Sequence, residues 1–202
     1  MNHQKPFFVV FEGIDKSGKD TQADLLVKYI KNNLGKKVFF TFEPTRSNVF
    51  GRLIHLMLAK HIKISPLFFQ RMYYWDRCCH VRQIKRRLNL GYTVICCRYF
   101  FSTIAYGYSA GINPQKIVNW HKKMPLPDLV FYLEIEAAEA MRRLKKQGAQ
   151  GELFEKKSFL NKVIAGYNFC RQKFPDIWQT IPAQGNQISV FEHIRTTFII
   201  KT

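Results

Sequence analysis

The residues best suited to chemistry in this chain are one lysine and two arginines, each of which follows an apolar segment. Lys19 ends a glycine-bounded loop, residues 13–19, that comes after the apolar run of residues 7–11. Arg46 and Arg98 follow two further apolar segments. Because cations gathered around phosphate neutralise the charge that develops when a phosphoryl group moves, this set predicts phosphoryl transfer.

The glycine-bounded loop has the flanks that a phosphate-binding loop needs. Glycines allow successive backbone N–H groups to turn toward an anion, and the helix that follows directs its positive end at the same point. The spacing predicts that Lys19 reaches the terminal phosphates of a triphosphate; the alternative is an ordinary strand-to-helix turn. The predicted phosphate-binding residues are Gly13, Ile14, Asp15, Lys16, Ser17, Gly18, Lys19, Asp20 and Thr21.

Composition predicts one globular domain, residues 1–202, with 47% hydrophobic residues. The net charge of +18 suits polyanionic partners such as nucleotides, although charge alone is also compatible with weak affinity for nucleic acid. No apolar run approaches the length of a membrane span, and the first residues lack the layout of a secretion signal. We therefore expect a cytoplasmic protein that binds no membrane.

Strand-like and helix-like patterns alternate along the chain, which predicts an α/β fold with a parallel sheet covered on both faces. Five strands are expected: residues 7–11, 37–42, 92–97, 129–135 and 177–181. The carboxyl ends of parallel strands share one edge of a sheet, where ligands bind in such folds. Lys19, Arg46 and Arg98 are therefore expected to converge at that edge.

A basic cluster that includes Arg142 and Arg143 lies at the end of a predicted helix, beside the polar, glycine-interrupted residues 147–151. This predicts a lid over residues 142–156 that closes on the triphosphate and excludes water. The alternative is a solvated helix face. Tyr73 has two interpretations on spacing alone, core packing or a platform for a base, and Asp76 is expected to be a surface charge.

Beyond these features, the chain resembles the thymidylate (dTMP) kinases over most of its length. The resemblance is carried by motifs that are far more specific together than the phosphate-binding loop is alone. They are Phe11-Glu12-Gly13-Ile14-Asp15 through Gln22, Glu43-Pro44-Thr45, Asp76-Arg77-Cys78-Cys79-His80-Val81, Arg98-Tyr99 with Ser102 and Ala105-Tyr106, Pro127-Asp128-Leu129-Val130, and Phe154-Glu155-Lys156-Lys157 with Lys162-Val163 and Gly166-Tyr167.

The resemblance implies a three-layer P-loop kinase fold with a central five-stranded sheet and a short lid. It implies transfer of the γ-phosphoryl group of ATP to dTMP, giving dTDP, with Mg²⁺ as cofactor. Family members are usually homodimers, and no specific nucleic-acid partner is expected. Asp15 matches a carboxylate near the 3′-hydroxyl of the acceptor and the water network around magnesium.

Further roles are implied by position. Tyr73 matches an aromatic residue that stacks on thymine, and Arg77 matches an arginine that contacts a thymine carbonyl. Arg98, with Ser102 close by, matches the arginine that binds the dTMP phosphate, and Arg46 is a second candidate for that phosphate. Tyr106 matches the aromatic residue under the deoxyribose.

The chain departs from the family pattern at three positions. The usual Ser or Thr after the loop lysine is Asp20, and the usual aspartate before Arg98 is Cys97. We hypothesise that Asp20 replaces the lost carboxylate as the magnesium ligand, since a thiol is a poor ligand for a hard cation. The lid position that carries an arginine in some members is Leu153, so Lys16 with Arg142 or Arg143 has to supply the charge.

Two alternative functions follow from these features. The departures at the magnesium site are compatible with a catalytically impaired nucleotide-binding relative that has a regulatory role. The high positive charge is compatible with a basic nucleic-acid-binding protein, whose affinity would fall steeply with salt.

Overall fold

The core of the molecule is a five-stranded parallel sheet. The computed structural model describes residues 6–60, 62, 64–146 and 153–202, and its strands follow the order β2-β3-β1-β4-β5. Each neighbouring pair is parallel, which confirms the predicted sheet. The strands are β1 Phe7–Glu12, β2 Val38–Phe42, β3 Thr93–Cys97, β4 Leu129–Glu134 and β5 Trp178–Pro182.

Helices connect the strands, and their ends follow local capping chemistry. The sequence predicts Ser65-Pro66 as the cap and first position of one helix and Gly35 as the end of another. The structure confirms both: Ser65 accepts a hydrogen bond from the Phe68 N–H at the start of α3, and Gly35 ends α1 in the left-handed conformation. The helices are α1 Lys19–Leu34, α2 Val49–Ala59, α3 Pro66–Asn89, α4 Phe100–Ser109, α5 Pro114–Trp120, α6 Ala137–Lys146, α7 Leu153–Lys173 and α8 Gln187–Lys201.

Both faces of the sheet are covered, as successive residues of β1 illustrate. Phe7 packs edge-to-face on Phe198 of α8, whereas Phe8 packs edge-to-face on Tyr99 at the start of α4. Because alternate residues of a strand point to opposite faces, α8 and α4 lie on opposite sides of the sheet. The sheet is therefore the middle layer of three.

Two helices differ in detail from the sequence pattern. The spacing of apolar residues predicts an apolar side of α2; Ile54 is buried there, but Leu53 and Leu58 are exposed. The residues of that predicted side are Phe50, Leu53, Ile54, Met57 and Leu58. The sequence also predicts a last helix from about Val190, but this helix begins at Gln187, because the Asn186 side chain accepts from the Ser189 N–H and caps an earlier turn. Residues 147–152 of the predicted lid lie outside the described residues.

Pairing within the sheet brings the segments after β1, β2 and β3 to one edge. Phe11 is opposite Cys97, the Arg98 N–H donates to the Phe11 carbonyl at 2.9 Å, and the Glu43 N–H donates to the Cys97 carbonyl at 2.9 Å. Glu12, Glu43 and Arg98 are consequently neighbours at the carboxyl edge. None of the helices in the described part of the chain combines the length and apolar character that crossing a membrane requires.

Candidate active site

The loop between β1 and α1 has a backbone that requires glycine at its first position. Gly13 has φ of 149°, and a Cβ there would lie 2.6 Å from the Ser17 hydroxyl oxygen and 2.9 Å from the Leu133 carbonyl oxygen. Gly18, with φ of 93°, precedes α1 and makes no side-chain cap. The first N–H groups of α1 are therefore not satisfied by a capping side chain, which is the arrangement that binds phosphate.

Lys19 and Arg98, which are 79 positions apart in the chain, meet at one carboxylate. The Lys19 ammonium lies 4.0 Å from Oδ1 of Asp15, and the Arg98 guanidinium donates to that same oxygen. A second nitrogen of Arg98 donates to the Ser102 hydroxyl at 3.0 Å. The Tyr106 hydroxyl lies 3.4 Å from the other Asp15 oxygen and 3.5 Å from Arg98.

The charges of this group influence one another. Burial raises the pKa of Asp15, but Arg98 and Lys19 outweigh it and hold the pKa of that carboxyl below its usual value. Burial and the Arg98 charge lower the pKa of Lys19, while the Asp15 and Asp20 carboxylates oppose the change. Two cations held this close repel each other, so an anion placed between them is favoured.

A cavity of about 390 Å³, named the acceptor cavity after the residues predicted to bind the acceptor, has Asp15 in its lining. Five of the residues proposed for the acceptor lie in its lining, and Tyr73 is held by an edge-to-face contact with Phe69 at 5.2 Å. Tyr73 is half-buried and lines the cavity, so it is not a core residue, and its role as a platform for a base stays a prediction. The lining residues are Asp15, Pro44, Leu58, Phe69, Gln70, Tyr73, Arg98, Ser102, Thr103, Tyr106 and Phe159.

A second cavity, of about 630 Å³, lies at the loop between β1 and α1 and is named the loop cavity. It is lined by Asp15, Lys16, Gly18, Lys19, Asp20, Thr21, Arg143, Leu144 and Lys146. Asp15 therefore lines both cavities, whereas Lys19 is in the lining of the loop cavity and Arg98 in that of the acceptor cavity. Ligands in the two cavities would be neighbours at Asp15.

The two arginines of the predicted lid have different environments. Arg143 donates to the backbone carbonyls of Lys16 and Ala183 at 3.1 and 2.8 Å, and it lines the loop cavity. Arg142 is exposed and forms a two-pronged pair with Glu139 at 2.7 and 2.8 Å. Arg143 therefore supports the loop, whereas Arg142 belongs to a solvated helix face.

Arg77 and Arg46 do not line the acceptor cavity. Arg77 is buried, donates to Glu43 at 2.6 Å, and donates to Thr103 and His121 at 3.1 and 2.8 Å. Since Thr103 lines the cavity, Arg77 supports the cavity wall from behind. Arg46 is exposed. Direct contacts of these two arginines with a ligand stay predictions.

Asp76 is not the surface charge that its helical position suggested. It is completely buried and accepts hydrogen bonds from the Thr45 N–H at 2.9 Å, the Thr45 hydroxyl at 2.6 Å and the Asn48 amide at 2.6 Å. It therefore fastens α3 to the segment after β2. Periodicity failed here because the partners lie 28 and 31 positions away.

Asp20 and Cys97 are neighbours, as the magnesium hypothesis requires. The Cys97 thiol is buried, and burial together with the Asp20 carboxylate raises its pKa, so it remains a protonated and poor ligand for a hard cation. The Asp20 side chain is 76% exposed in the loop cavity, 3.9 Å from the Lys19 ammonium. The donor set fits a magnesium ion held by Asp20 and not by Cys97.

Sequence reasoning missed several residues of the site. Phe159, on α7, packs on Tyr106 at a ring distance of 6.0 Å and lines the acceptor cavity. Gln70 lies one helical turn before Tyr73, and that spacing could have indicated it. No sequence signal singles out Phe159, because it reaches the cavity only through the packing of α7 on α4.

Comparison with known proteins agrees with this arrangement. A thymidylate kinase family model matches residues 11–194. A probable thymidylate kinase of Pyrococcus horikoshii is 34% identical over 177 residues, 85% of each chain. The thymidylate kinases of Brachyspira hyodysenteriae and Plasmodium falciparum are each 33% identical, over 94% and 89% of this chain and 91% and 83% of their own.

A solved structure is also similar. The thymidylate kinase from Ehrlichia chaffeensis superposes with a TM-score of 0.77 at 25% identity, covering 96% of this chain and 98% of the other. Sequence and fold thus agree over nearly the whole length. This chain belongs to the thymidylate kinase family.

Proposed function

We propose that this protein transfers the γ-phosphoryl group of ATP to dTMP, giving dTDP and ADP. The observation that carries the proposal is that Asp15, which pairs with both Lys19 and Arg98, lines two cavities, one also lined by Lys19 and the other by Arg98. Phosphoryl transfer needs a donor and an acceptor aligned end to end, with cations around the moving group. This arrangement supplies both requirements.

The cavity above the loop is assigned to ATP. The loop N–H groups and the start of α1 hold the β- and γ-phosphates, and Lys19 neutralises charge on the moving group. Arg143 holds the loop backbone through its hydrogen bond to the Lys16 carbonyl, and Lys16 supplies a further cation at the cavity. Mg²⁺, held by Asp20, would supply charge neutralisation on the donor phosphates.

The smaller cavity is assigned to dTMP. Arg98 exchanges its bond to Asp15 for the acceptor phosphate, and its forked donors match the phosphate oxygens. Tyr73 provides a face for the base, while Asp15 and Tyr106 face the sugar. Arg46 is left as an outer contact for the phosphate.

An assay of ADP release over a panel of nucleoside monophosphates tests the assignment. With ATP and Mg²⁺, we expect turnover with dTMP, weaker turnover with dUMP, and none with purine monophosphates. A binder without catalysis would be stabilised against heat by dTMP but release no ADP. That outcome, or a preference for a purine acceptor, would contradict the proposal.

The protein is also proposed to form a homodimer through the surface of α2. Val49, Leu53 and Leu56 recur at helical spacing and are all exposed, and Phe40 and Phe42 expose the same side of the edge strand β2. Such apolar surface is typical of a subunit interface. Light scattering after gel filtration should give twice the chain mass of 23.9 kDa, and Leu53→Glu should give the monomer mass.

A further inference from the structure

A buried carboxylate beneath the site has no role in the scheme above. Glu12 is the last residue of β1, directly before the phosphate-binding loop, and its exposed fraction is 0%. A buried carboxylate is costly unless hydrogen bonds compensate for the lost water. Its hydrogen-bond partners therefore indicate why the fold keeps it.

Four donors from two other segments converge on Glu12. One carboxylate oxygen accepts from the N–H groups of Tyr99 and Ser102, at 2.8 and 3.2 Å. The other accepts from the Ser102 hydroxyl at 2.6 Å and from the Tyr167 hydroxyl at 3.0 Å. The two backbone N–H groups require an acceptor and the two hydroxyls can donate, a set of partners that suits a carboxylate. Burial raises the pKa of Glu12, while these hydrogen bonds and the Arg98 charge oppose the change.

The two backbone donors identify Glu12 as the cap of α4. The residue before that helix, Tyr99, makes no side-chain cap of its own. Glu12 thus satisfies the first turn of α4 from a different strand, with a negative charge at the positive end of the helix. This fixes the start of α4 relative to the phosphate-binding loop.

The same contacts fix Arg98. This residue has φ of 66°, a conformation that is costly for a residue with a side chain, and it lies between β3 and the capped turn. The Ser102 hydroxyl donates to Glu12 and accepts from Arg98 at 3.0 Å. A continuous chain of hydrogen bonds therefore runs from Glu12 through Ser102 and Arg98 to Asp15.

We propose that Glu12 is a positioning residue that holds Arg98 in place for the acceptor phosphate. The proposal rests on the assignment of the smaller cavity to a nucleoside monophosphate. Through Tyr167, the same carboxylate joins α7, the helix that brings Phe159 to that cavity. Glu12 touches no ligand and acts only through the residues that do.

Glu12→Gln separates the charge from the size of the side chain. Its amide oxygen still accepts from the two backbone N–H groups, but its NH₂ group can no longer accept from the hydroxyls. Ser102 then loses its carboxylate acceptor and is left with the Tyr167 hydroxyl at 3.0 Å, so the link from Glu12 through Ser102 to Arg98 is broken. The matched control is Asp128→Asn, because Asp128 accepts from the Phe8 N–H at the opposite end of β1, away from the site.

Steady-state kinetics and binding of dTMP measure the effect. For Glu12→Gln we expect kcat/KM for dTMP to fall about 10- to 100-fold, the loss of a hydrogen bond to a charged group, with KM for ATP changed less than about twofold. Asp128→Asn should leave both parameters unchanged. A loss shared equally by dTMP and ATP, as unfolding would give, overturns the proposal, as does wild-type kinetics with dTMP.

If Glu12→Gln is too unstable to assay, Ser102→Ala alone breaks the same chain at its next link and should give the same selective fall in kcat/KM for dTMP; where Glu12→Gln folds, a double-mutant cycle with Ser102→Ala is the second test. If both residues act on Arg98 through one chain, the double variant should be no worse than Glu12→Gln alone, whereas additive losses overturn the proposal. A wild-type protein that does not turn over dTMP overturns the proposed function. In that case the positioning role proposed for Glu12 is decided by the dissociation constant of dTMP for the same variants.

Discussion

Two clusters at the carboxyl edge of the sheet each pair an arginine with a carboxylate, yet they differ in exposure. The rim cluster, Asp15, Lys19, Arg98 and Tyr106, borders both cavities, and the Asp15 side chain is 60% exposed. The wall cluster, Glu43, Arg77, Thr103 and His121, lies behind the acceptor cavity, and the Glu43 side chain is 1% exposed.

The difference in the exposure of their carboxylates gives the two clusters different functions. An arginine that is paired to an exposed carboxylate can exchange that partner for phosphate at little cost, because exposed ion pairs contribute less than about 1 kcal/mol. A buried pair cannot be exchanged in this way, since either partner alone would be a desolvated charge. The rim cluster is suited to binding a ligand, and the wall cluster to holding the cavity in shape.

The largest expected effect comes from breaking the wall cluster. Arg77→Leu leaves Glu43 buried without its main partner, so we expect the free energy of unfolding to fall by about 3–5 kcal/mol. Urea unfolding measures it. A second change, Glu43→Leu, should recover part of the loss, and a loss below about 1 kcal/mol for Arg77→Leu would contradict the buried pair.

Breaking the rim cluster should affect activity rather than stability. For Arg98→Ala we expect kcat/KM for dTMP to fall about 10²- to 10³-fold, as when a single donor to a developing charge is removed. The free energy of unfolding should change less than it does in Arg77→Leu, because the Arg98 side chain is 16% exposed and its Asp15 partner 60% exposed, whereas Arg77 and Glu43 are each 1% exposed. Arg98→Lys is the comparison, since lysine keeps the charge but not the forked donors; activity equal to wild type in both variants would refute the assignment.

A pH titration sharpens the comparison within the wall cluster. Arg77 can only donate, so Nε2 of His121 accepts and Nδ1 donates to the Ile117 carbonyl at 2.8 Å. Burial and the Arg77 charge lower the pKa of His121 to about 3. Below the pKa of about 6.5 in the unfolded chain, only the unfolded chain takes up this proton. The free energy of unfolding should therefore decrease by about 1.4 kcal/mol for each unit by which the pH is lowered, until the folded pKa is reached.

His121→Gln keeps an acceptor for Arg77 but cannot titrate. Between pH 6 and 4 its free energy of unfolding should therefore decrease less steeply than that of the wild type, measured by urea unfolding at each pH. Parallel curves for the two proteins would show that His121 is not held neutral in the wall cluster.

The smallest effect is expected next to the rim cluster, at Cys97. If Asp20 already provides the carboxylate for Mg²⁺, then Cys97→Asp should change kcat by less than about threefold, since the added carboxylate brings no new ligand role. Cys97→Ser controls for loss of the thiol. A large rise in kcat at saturating Mg²⁺ for Cys97→Asp alone would show that Asp20 does not compensate.

Local patterns predicted most of the fold. The glycines of the loop, the serine–proline start of α3 and the apolar third strand each depend on residues close in the chain, and the structure agrees with all three. The burial of the α2 residues could not be predicted, because amphipathic spacing indicates an apolar face without indicating what covers it. The prediction that Asp76 is a surface charge was wrong, because the burial of a charge depends on partners that are distant in the sequence.

The sequence by itself determined the sheet, the phosphate-binding loop and the family, since these rest on spacing within short segments. Only the tertiary structure decided which arginine lines a cavity and which is buried in the protein. Arg77 and Arg98 both belong to motifs that carry the family resemblance, but Arg77 pairs with the buried Glu43 and Arg98 with the exposed Asp15. Exposure depends on how helices from distant segments pack over the sheet edge, and no local pattern encodes that.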